Sequence, residues 1–517
     1  MTKIENVLFV VIDQLRADCV FGALSDHVAL PNLRALMADA VTFRRHFSVA
    51  NPCGPSRASI LTGQYAMNHR SVRNGTPLPD DLPNLATEVR KAGWLPLLFG
   101  YTDTTRDPRG LPPGDPMLRS YEQVMPGFVE AVEMRLEESW PWRAHLAAKG
   151  YDVPPYPAIF RPAGPRPDDP AIYRAEDSDT AFLTDCTLNA IRVRPEGWFV
   201  HLTYIRPHPP LVAPAPYNRM YDPASLPLPT RLATVAKEAA RHPFIAASLA
   251  RNPIQSMVEG FPDLTPTDAN TQLLRAIYLG LATEVDHHLG RILDHLRQRG
   301  LYDRTLIVVT ADHGEMLGDH HAWGKSTFYD AAWHTALVIR DPQAPLRGAV
   351  VDLPTEAVDV TPTILDCLGL EIPHTMDGRS LSPFLHGEAP PDWRQYSFAE
   401  LDFGDPVTPT LVQRMLGLTA ETANLAILRG PTHTLVHFNG GLAPLLFDHR
   451  TEGEMRDIAG DPSAATVLLD LSRAMLDHRM RHANPRFART MVTPAGLAVA
   501  PRRGARPSDR GGVLTWG

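Results

Sequence analysis

The sequence predicts an α/β fold with a large mixed, mostly parallel central sheet flanked by helices, and a smaller C-terminal α+β subdomain. Two observations support this prediction. Short apolar runs rich in β-branched residues, typical of strands buried on both faces, alternate along the chain with segments of helical spacing. Several of these runs also end abruptly in polar residues. Such alternation is typical of domains in which helices cover both faces of a mostly parallel sheet.

The predicted elements follow in chain order. Strands are expected at NVLFVVIDQ (6–14), WLPLLFGY (94–101), GWFVHLTYI (197–205) and DRTLIVVTADHG (303–314). Helices are expected at PNLRALMADAVTF (31–43), in the short segment that ends at Gly63, at LPNLATEVRKAG (82–93) and over 268–300. The last is the clearest, because it is amphipathic and is closed by Gly300.

The alternation of strands and helices in the sequence ends near residue 390. Short strand-like pieces, LAILRG, HTLVHFN and PLLFDH, precede a helix near residues 462–482. We therefore predict a catalytic α/β domain over residues 1–390 and an α+β subdomain over 391–485. The basic, Gly/Pro-rich end of the chain, 486–517, is predicted to be an extended tail.

Composition excludes several classes of protein. The chain has 517 residues, a formal net charge of −8 and only four cysteines, with no C-x-x-C pair. This balance favours neither a nucleic acid nor an anionic membrane as partner, and the cysteines do not form a disulfide framework. The apolar run at the N-terminus is half the length of a signal-peptide core, and no run approaches the roughly 20 residues of a membrane helix. A cytoplasmic location is expected.

Two predicted strands end in metal-ligating residue types. Asp13 and Gln14 follow the first strand, and Asp312 and His313 follow the strand near residue 310. In sheets of this kind, ligand-binding and catalytic residues lie beyond the carboxyl ends of the strands. If the two strands are neighbours, these four side chains converge and suit one divalent cation, Mn²⁺ or Ca²⁺ above all. Alone, either aspartate could simply cap the loop that follows it.

A cysteine lies at the N-terminal end of a predicted helix. In VANPCGPSRASILTGQY (49–65), Pro55 suits a first helical turn, so Cys53 lies at the N-terminal end, where backbone N–H groups favour an anion. Cys53 could be a buried small hydrophobe or a thiolate nucleophile, and these alternatives stay open on residue types alone. No histidine or asparagine partner stands beside it in the sequence.

A family resemblance bears on this cysteine. CGPSRASILTG (53–63) resembles the sulfatase signature C-x-P-S-R-x-x-x-L-T-G, and TADHGEMLGDHHAWGK and AVDVTPTILDCLGLEIPHTMDGRSLSPFL resemble two further blocks of that family. The resemblance implies an alkaline-phosphatase-like fold. It also implies that Cys53 is oxidised to formylglycine by a formylglycine-generating enzyme before folding. A hydroxyl of the aldehyde hydrate would then attack sulfur or phosphorus and form a covalent ester, with Arg57 holding the hydrate near the metal.

Several stretches are similar to one subgroup, the phosphonate monoester hydrolases and their arylsulfatase relatives. They are MNHRSVRNGTPL, GYTDTTRDPR, YIRPHPPLVAPAPY and the Asp-Gln…Asp-His metal set. The resemblance implies that Asn74 and Tyr101 bind substrate, with Tyr101 where many sulfatases have a lysine. It implies that His208 and Lys325 assist the leaving group. His320 and His321 are not expected to be ligands, and His287 and His288 are expected only on a helix face.

Two positions depart from the subgroup's pattern. Asp103 stands where the relatives carry threonine, and a carboxylate there would repel an anionic substrate unless it is protonated or paired, for example with Arg106. Asp103 is included among the substrate-binding residues. At the second position, YDAAWHTALVIR carries His334-Thr335-Ala336-Leu337 in place of the family's Arg-x-Pro-Leu.

Together these features predict a formylglycine-dependent metallohydrolase that cleaves phosphonate monoesters, phosphodiesters or sulfate monoesters. A dedicated arylsulfatase is the near alternative, and a catalytically silent binding protein on the same fold is a more distant one. The expected substrate is a small anionic ester, and a homo-oligomer, either a dimer or a tetramer, is expected.

Overall fold

A computed structural model describes residues 3–194, 196–484, 486–487 and 489–500 of the chain. Within them, nine strands form one large sheet in the order β10-β2-β8-β7-β1-β6-β4-β5, with β9 paired to β2. These strands are β1 (Asn6–Ile12), β2 (Val41–Phe47), β4 (Pro96–Gly100), β5 (Val129–Glu133), β6 (Phe199–Tyr204), β7 (Thr305–Ala311), β8 (His334–Arg340), β9 (Ala349–Val351) and β10 (Thr355–Glu356). Only β8 runs antiparallel to its neighbours among these strands, so the predicted mixed, mostly parallel sheet is confirmed.

Helices flank this sheet. They are α1 (Asp18–Phe21), α2 (Pro31–Ala38), α3 (Cys53–Thr62), α4 (Ala66–His69), α5 (Leu85–Lys91), α6 (Trp140–Ala148), α7 (Asp179–Val193), α8 (Val235–Ala239), α9 (Pro243–Arg251), α10 (Asp268–Gln298), α11 (Val360–Cys367), α12 (Ser382–Leu385), α13 (Leu411–Leu416) and α14 (Ala465–Arg481). The 31-residue α10 packs on α7 and α2 and supplies much of one core layer.

The centre of the sheet sets the position of the chemistry. β1 lies between β6 and β7 and is parallel to both, with Ile12 opposite Ala311 on one side and Tyr204 on the other. The next residues, Asp13 and Asp312, therefore leave the sheet side by side. The hypothesis that these two strands are neighbours is confirmed.

The C-terminal region forms a second, smaller sheet, as predicted. Its strands, in the order β14-β13-β12-β11-β3, are β3 (Ala50–Asn51), β11 (Ser397–Asp402), β12 (Asn424–Arg429), β13 (His433–Phe438) and β14 (Leu445–Asp448). β3 immediately precedes the Cys53 helix, so the small sheet helps to place that helix. Phe398 and Leu435 share a buried cluster with Val7 and Phe9 of the central sheet. The two units therefore pack directly together; their limits at residues 390 and 485 stay predictions.

One predicted helix was too long. The structure ends α2 at Ala38, and residues 41–47 form β2 instead of continuing the helix over 31–43. β2 reads VTFRRHF and pairs with β8, β9 and β10. β-branched and aromatic residues suit this largely buried strand, and pairing with distant strands overrides the local helical spacing.

The end of the chain is only partly described. β15 (Thr490–Thr493) and β16 (Gly496–Val499) form a hairpin within the predicted tail, and residues 501–517 lie outside the described residues. None of the helices among the described residues has the length and apolar character needed to span a membrane.

Candidate active site

Acidic side chains and an imidazole meet at the carboxyl ends of β1 and β7. Asp13, Asp312 and His313 are at most 1% exposed. His313 Nε2 lies 3.8 Å from Asp13 Oδ1 and 3.8 Å from Asp312 Oδ1. Ligand atoms of these three residues and of Cys53 all lie within 4.8 Å of one another. Tertiary structure thus brings together residues that are about 300 positions apart in sequence.

The positive charge of Arg57 offsets the negative charge of the Asp13 and Asp312 carboxylates from one side. Its Nη2 is 3.1 Å from Asp13 Oδ2, and its Nε is 3.0 Å from Asp312 Oδ2. The same guanidinium donates to the Thr203 hydroxyl and lies 4.1 Å from the centre of the Tyr101 ring. Arg57 therefore orients both acids, leaving their Oδ1 atoms on the side of Cys53 and His313.

The donor set fits one divalent cation. Two carboxylates are buried together, which is costly unless their charge is compensated. The backbone carbonyl of Gly314, 3.0 Å from His313 Nδ1, accepts the ring N–H, so Nε2 presents its lone pair to the carboxylates. Burial, followed by Lys325, lowers the pKa of His313 to about 3, so the ring is neutral as a ligand requires. Asp13, Asp312 and His313 would hold the ion.

Gln14 joins this cluster to Lys325. Its side-chain nitrogen donates to the carboxylate of Glu315, and its Oε1 accepts from Lys325 Nζ at 2.6 Å. Glu315, 1% exposed, also accepts from the backbone N–H groups of Leu317 and Gly324. Glu315 thus fixes both the orientation of the Gln14 amide and the loop that carries Lys325. Gln14 stays a predicted metal ligand.

Lys325 and His208 form a pair at the edge of the cluster. Lys325 Nζ donates to His208 Nε2 at 2.9 Å. Burial, and then Lys325, lowers the pKa of His208 to about 3, so His208 accepts as a neutral ring. Burial opposes the charge of Lys325, but nearby carboxylates, Asp13 and Asp312 among them, favour that charge, and the pKa of Lys325 lies above its usual value. A charged ammonium therefore stands beside the acids.

Cys53 is the first residue of α3, as predicted, and every residue of that helix is buried. Its sulfur lies 3.2 Å from His313 Nε2 and 4.0 Å from Asp13 Oδ1. The sequence showed no histidine partner for Cys53 because this one is 260 residues away. Burial, reinforced by Asp13, raises the pKa of the Cys53 thiol well above its usual value. In the metal-free site an unmodified Cys53 is thus a neutral thiol, and the thiolate alternative is disfavoured there.

The residue after Cys53 explains the close packing at the helix start. A Cβ on Gly54 would lie 2.9 Å from both Asn74 Oδ1 and the Asp103 carbonyl oxygen, so only glycine fits. The Gly54 N–H donates to Asn74 Oδ1 at 3.0 Å. Asn74 is therefore held against the helix N-terminus, next to the predicted nucleophile; its contact with substrate stays a prediction.

Tyr101 faces the acids rather than open space. Its hydroxyl donates to Asp13 and accepts from Arg57 Nη2 at 3.1 Å, and the side chain is 4% exposed. This geometry makes Tyr101 a support for Asp13 and Arg57. Its predicted role in binding substrate remains untested.

Asp103 is buried beside this site, and it forms no salt bridge with any of the residues that the structure describes. Arg106 pairs with Asp80 instead, at 3.1 Å, so the suggested Asp103–Arg106 pair is wrong. Asp103 Oδ1 is buried and accepts no hydrogen bond from any described residue. Burial raises the pKa of Asp103 well above its usual value; Arg57 opposes this effect, and Glu122 and Asp13 add to it. Of the two possibilities, the structure favours a protonated carboxyl over a paired one.

Asp103→Asn is expected to stabilise the protein at neutral pH and to have little effect near pH 4. Below the unfolded pKa of about 3.9, both states of the parent are protonated. Above it, the unfolded chain releases a proton that the folded chain retains. The parent's free energy of unfolding therefore falls by up to about 1.4 kcal/mol per pH unit until the raised pKa is reached.

Urea titrations from pH 4 to pH 8, in chelator, measure this difference. The matched control is Asp470→Asn, at an exposed carboxyl of α14. A difference between Asp103→Asn and the parent that does not grow with pH would contradict the assignment of a neutral Asp103.

Other histidines lie outside the cluster. His320 is buried, its Nδ1 is 3.0 Å from Glu238 Oε1, and its ring stacks on Tyr329. His334 stacks on Phe47 and its Nε2 is 2.6 Å from the Arg44 carbonyl oxygen, so it ties β8 to β2. Three more histidines named in the sequence analysis also bond elsewhere: His321 to Leu232, His287 to Tyr217 and His288 to Arg291.

Sequence reasoning missed two supporting residues. Glu315 lies in the D-H-G-E stretch of the quoted motif, so a signal for it was present. Thr203 is a polar residue near the end of a predicted buried strand, and it accepts from Arg57 Nη1 at 2.5 Å. Its position near the carboxyl end of β6 is the signal that could have found it.

Comparison with known proteins identifies the family of this chain. The sulfatase family profile matches residues 5–370, and the profile for the C-terminal region of N-sulphoglucosamine sulphohydrolase matches residues 318–481. The chain belongs to the sulfatase family. This family is part of the alkaline phosphatase superfamily, so the predicted family is confirmed.

Relatives of this sulfatase-family chain cover nearly all of it. The multifunctional alkaline phosphatase superfamily protein PehA of Trinickia caryophylli is 37% identical, over 96% of this chain and 99% of PehA. The structure of a phosphonate monoester hydrolase from Silicibacter pomeroyi is 60% identical with a TM-score of 0.93, over 96% of this chain and 99% of that one. A phosphonate monoester hydrolase of Agrobacterium radiobacter is 39% identical with a TM-score of 0.92, over 96% and 100%.

An arylsulfatase of Clostridium perfringens is more distant, at 26% identity over 77% of this chain and 82% of that protein. These sulfatase-family relatives are hydrolases of ester bonds. The chain is therefore an ester-bond hydrolase.

Proposed function

We propose that this chain is a formylglycine-dependent metallohydrolase that cleaves phosphonate monoesters, phosphodiesters or sulfate monoesters. One observation carries the proposal: the Cys53 side chain, at the start of a buried helix, lies within 4.0 Å of both His313 and Asp13. Formylglycine at position 53 could present a nucleophilic oxygen to an ester. The metal ion held by Asp13 and His313 would help to bind that ester. The names of the two phosphonate monoester hydrolases support a phosphonate ester as substrate, and the name of the arylsulfatase relative supports a sulfate ester.

The proposed ion is one divalent cation, Mn²⁺ or Ca²⁺, held by Asp13, Gln14, Asp312 and His313. When bound, it would supply Lewis acidity toward the anionic oxygens of the ester. Arg57 keeps the two aspartates in place by bonding their Oδ2 atoms. Tyr101 and Thr203 in turn fix Arg57, so the acids have little freedom to move.

Cys53 is the proposed precursor of formylglycine, made by a formylglycine-generating enzyme before folding. Its hydrate would supply one hydroxyl as nucleophile and a second from which the aldehyde re-forms. Asn74 holds the Gly54 N–H beside this position. A neutral Asp103 adds no negative charge next to an anionic substrate, and its Oδ1, which has no hydrogen-bond partner among the described residues, could donate as an O–H group to a substrate oxygen.

Lys325 and His208 are the proposed leaving-group residues. When the P–O or S–O bond breaks, its electron pair goes to the departing oxygen. The Lys325 ammonium can donate a proton or a hydrogen bond to that oxygen, because it lies among the acids and stays charged. His208 Nε2 accepts one of the three Lys325 hydrogens and so limits the directions in which the others point.

Two alternatives remain. A dedicated arylsulfatase would use the same residues with a different preference between sulfate and phosphonate, and the arylsulfatase relative is compatible with it. A silent binding protein would leave Cys53 unmodified. The converging acids, Cys53, Arg57 and Lys325 disfavour the silent protein.

Mass spectrometry and turnover test the proposal on chain produced together with a formylglycine-generating enzyme. The peptide that contains Cys53 is expected to lose about 18 Da as the aldehyde, or to show almost no change as its hydrate. The manganese-loaded protein is expected to hydrolyse an aryl phosphonate monoester. An alkylatable thiol and no turnover would refute the proposal, and a preference for aryl sulfate of several orders would favour the arylsulfatase.

Assembly as a dimer or tetramer and a cytoplasmic location also stay predictions. Light scattering of the purified chain measures the first, and fractionation of the cells that produce it measures the second.

A further inference from the structure

Arg206 lies just beyond β6 and is 1% exposed. Its Nη1 donates to two backbone carbonyls of the loop that carries His208: the carbonyl of His208 itself, at 2.9 Å, and that of Pro210, at 3.0 Å. One guanidinium nitrogen thus holds both ends of a three-residue turn. Neither carbonyl belongs to a helix or strand, so these bonds constrain a segment that regular secondary structure does not.

Two further contacts anchor Arg206 on the opposite side. Its Nε lies 3.0 Å from Asp179 Oδ2, and the Asp179 side chain is 3% exposed. Asp179 is the first residue of α7, and its Oδ1 accepts from the Thr180 N–H at 2.8 Å. The guanidinium carbon lies 4.4 Å from the centre of the Phe160 ring. Arg206 is therefore held in orientation by a helix start and an aromatic face.

The turn fixed by Arg206 also sets the His208 ring. His208 Nδ1 donates to the carbonyl of Pro209, within the same turn. This leaves Nε2 as the acceptor for Lys325 Nζ, at 2.9 Å. A chain of bonded contacts thus runs from Asp179 through Arg206 and the turn to the ammonium of Lys325.

We infer that Arg206, anchored by Asp179, is a positioning residue for the His208–Lys325 pair and so determines how well the enzyme assists a poor leaving group. This inference rests on the proposed function, in which that pair faces the departing oxygen. Arg206 itself touches none of the predicted metal ligands in the described contacts. Its effect is exerted through the position of the 208–210 turn.

The physical reason is geometric. A proton donor must lie within hydrogen-bond reach of the departing oxygen, and displacements of about 1 Å can reduce rates by about 100-fold. A weakly acidic leaving alcohol needs that donor, whereas a strongly acidic phenol leaves without much help. Loss of Arg206 should therefore slow poor leaving groups far more than good ones.

Arg206→Lys is the test variant, because lysine keeps the charge but its single nitrogen cannot occupy both the Nη1 position beside the two carbonyls and the Nε position beside Asp179. Values of kcat and KM are measured for a series of aryl phosphonate monoesters whose phenols differ in acidity. Relative to the parent, kcat is expected to fall about tenfold or more for the least acidic phenol and less than about threefold for the most acidic. KM is expected to stay within about threefold. Asp179→Asn is expected to change kcat in the same direction by less.

Arg340→Lys is the matched control. Arg340 is also buried, its Nε is 2.7 Å from Asp39 Oδ2, and its Nη1 donates to the Tyr302 carbonyl at 2.9 Å. Its guanidinium carbon lies 3.9 Å from the Tyr302 ring centre. This substitution removes the same kinds of contact at the end of β8, so it should leave the dependence on leaving-group acidity unchanged. Equal slowing of all leaving groups by Arg206→Lys, or no slowing, would overturn the inference.

Crystal structures of the two variants give a readout that does not need turnover. In Arg206→Lys, the 208–210 turn is expected to move and the 2.9 Å contact between His208 and Lys325 to be lost. In Arg340→Lys, the position of the turn and this contact are both expected to persist. An unmoved turn in Arg206→Lys would refute the positioning role. A modified parent enzyme that cleaves none of the esters would instead refute the proposed function, while the crystal structures would still decide what Arg206 positions.

Discussion

Cys53→Ala abolishes ester hydrolysis, with an expected fall in kcat/KM of at least about 10⁴-fold, because alanine can neither become formylglycine nor offer any nucleophile. Fold and stability change little, since the substitution removes only one sulfur atom. The position is 5% exposed and its backbone continues as helix α3. Turnover of an aryl phosphonate monoester measures the loss, with parent and variant produced together with the modifying enzyme and loaded with manganese.

The control for this prediction is Cys186→Ala. Cys186 is a half-buried cysteine of α7, outside the proposed machinery, and its loss is expected to leave turnover within about twofold. Cys53→Ala protein that retains more than about one per cent of the parent activity would contradict a nucleophile derived from Cys53.

Arg57→Met destabilises the metal-free protein by about 3–5 kcal/mol and also removes activity. Arg57 is 2% exposed and is the cation that contacts the Oδ2 atoms of both Asp13 and Asp312. Methionine fills a similar volume but leaves two adjacent buried carboxylates uncompensated. Urea titration in chelator measures the free energy of unfolding. Added Mn²⁺ is expected to restore part of the loss, because a cation that binds only the folded state stabilises it.

Arg479→Met serves as the control for charge removal. Arg479 also pairs with a carboxylate, that of Glu400, but its side chain is 45% exposed. Solvent screens such a pair, so the expected cost is at most about 1 kcal/mol. If Arg57→Met lowers the free energy of unfolding no more than Arg479→Met does, other groups must offset the negative charge of Asp13 and Asp312, and the prediction is wrong.

Much of the candidate site could be predicted because its signals are local. Asp13 and Asp312 each follow an apolar strand directly, and Cys53 opens a helix marked by Pro55 at its start and Gly63 at its end. Such signals depend on a few consecutive residues, so they can be read without the fold. The sequence motifs also indicated the family, which the comparisons confirm.

Other features depend on contacts between distant parts of the chain. Residues 41–43 have helical spacing, yet they become strand β2 because β8 and β9 pair with them. The surroundings of the Asp103 side chain could not be predicted from the sequence either. Arg106, three residues away, bonds Asp80. Burial in the folded chain raises the pKa of Asp103, and Glu122 and Asp13, which are distant in sequence, add to that effect.

The sequence by itself determined which residue types stand at the strand ends and helix start, and hence the family and the class of chemistry. Only the tertiary structure decided that β1 lies beside β7, that one arginine joins both aspartates, and that Arg206 ties the His208 turn to α7. The physical reason is that periodicity and capping are properties of neighbouring residues. Burial, ion pairing and the direction of a hydrogen bond depend on which strands and helices pack together.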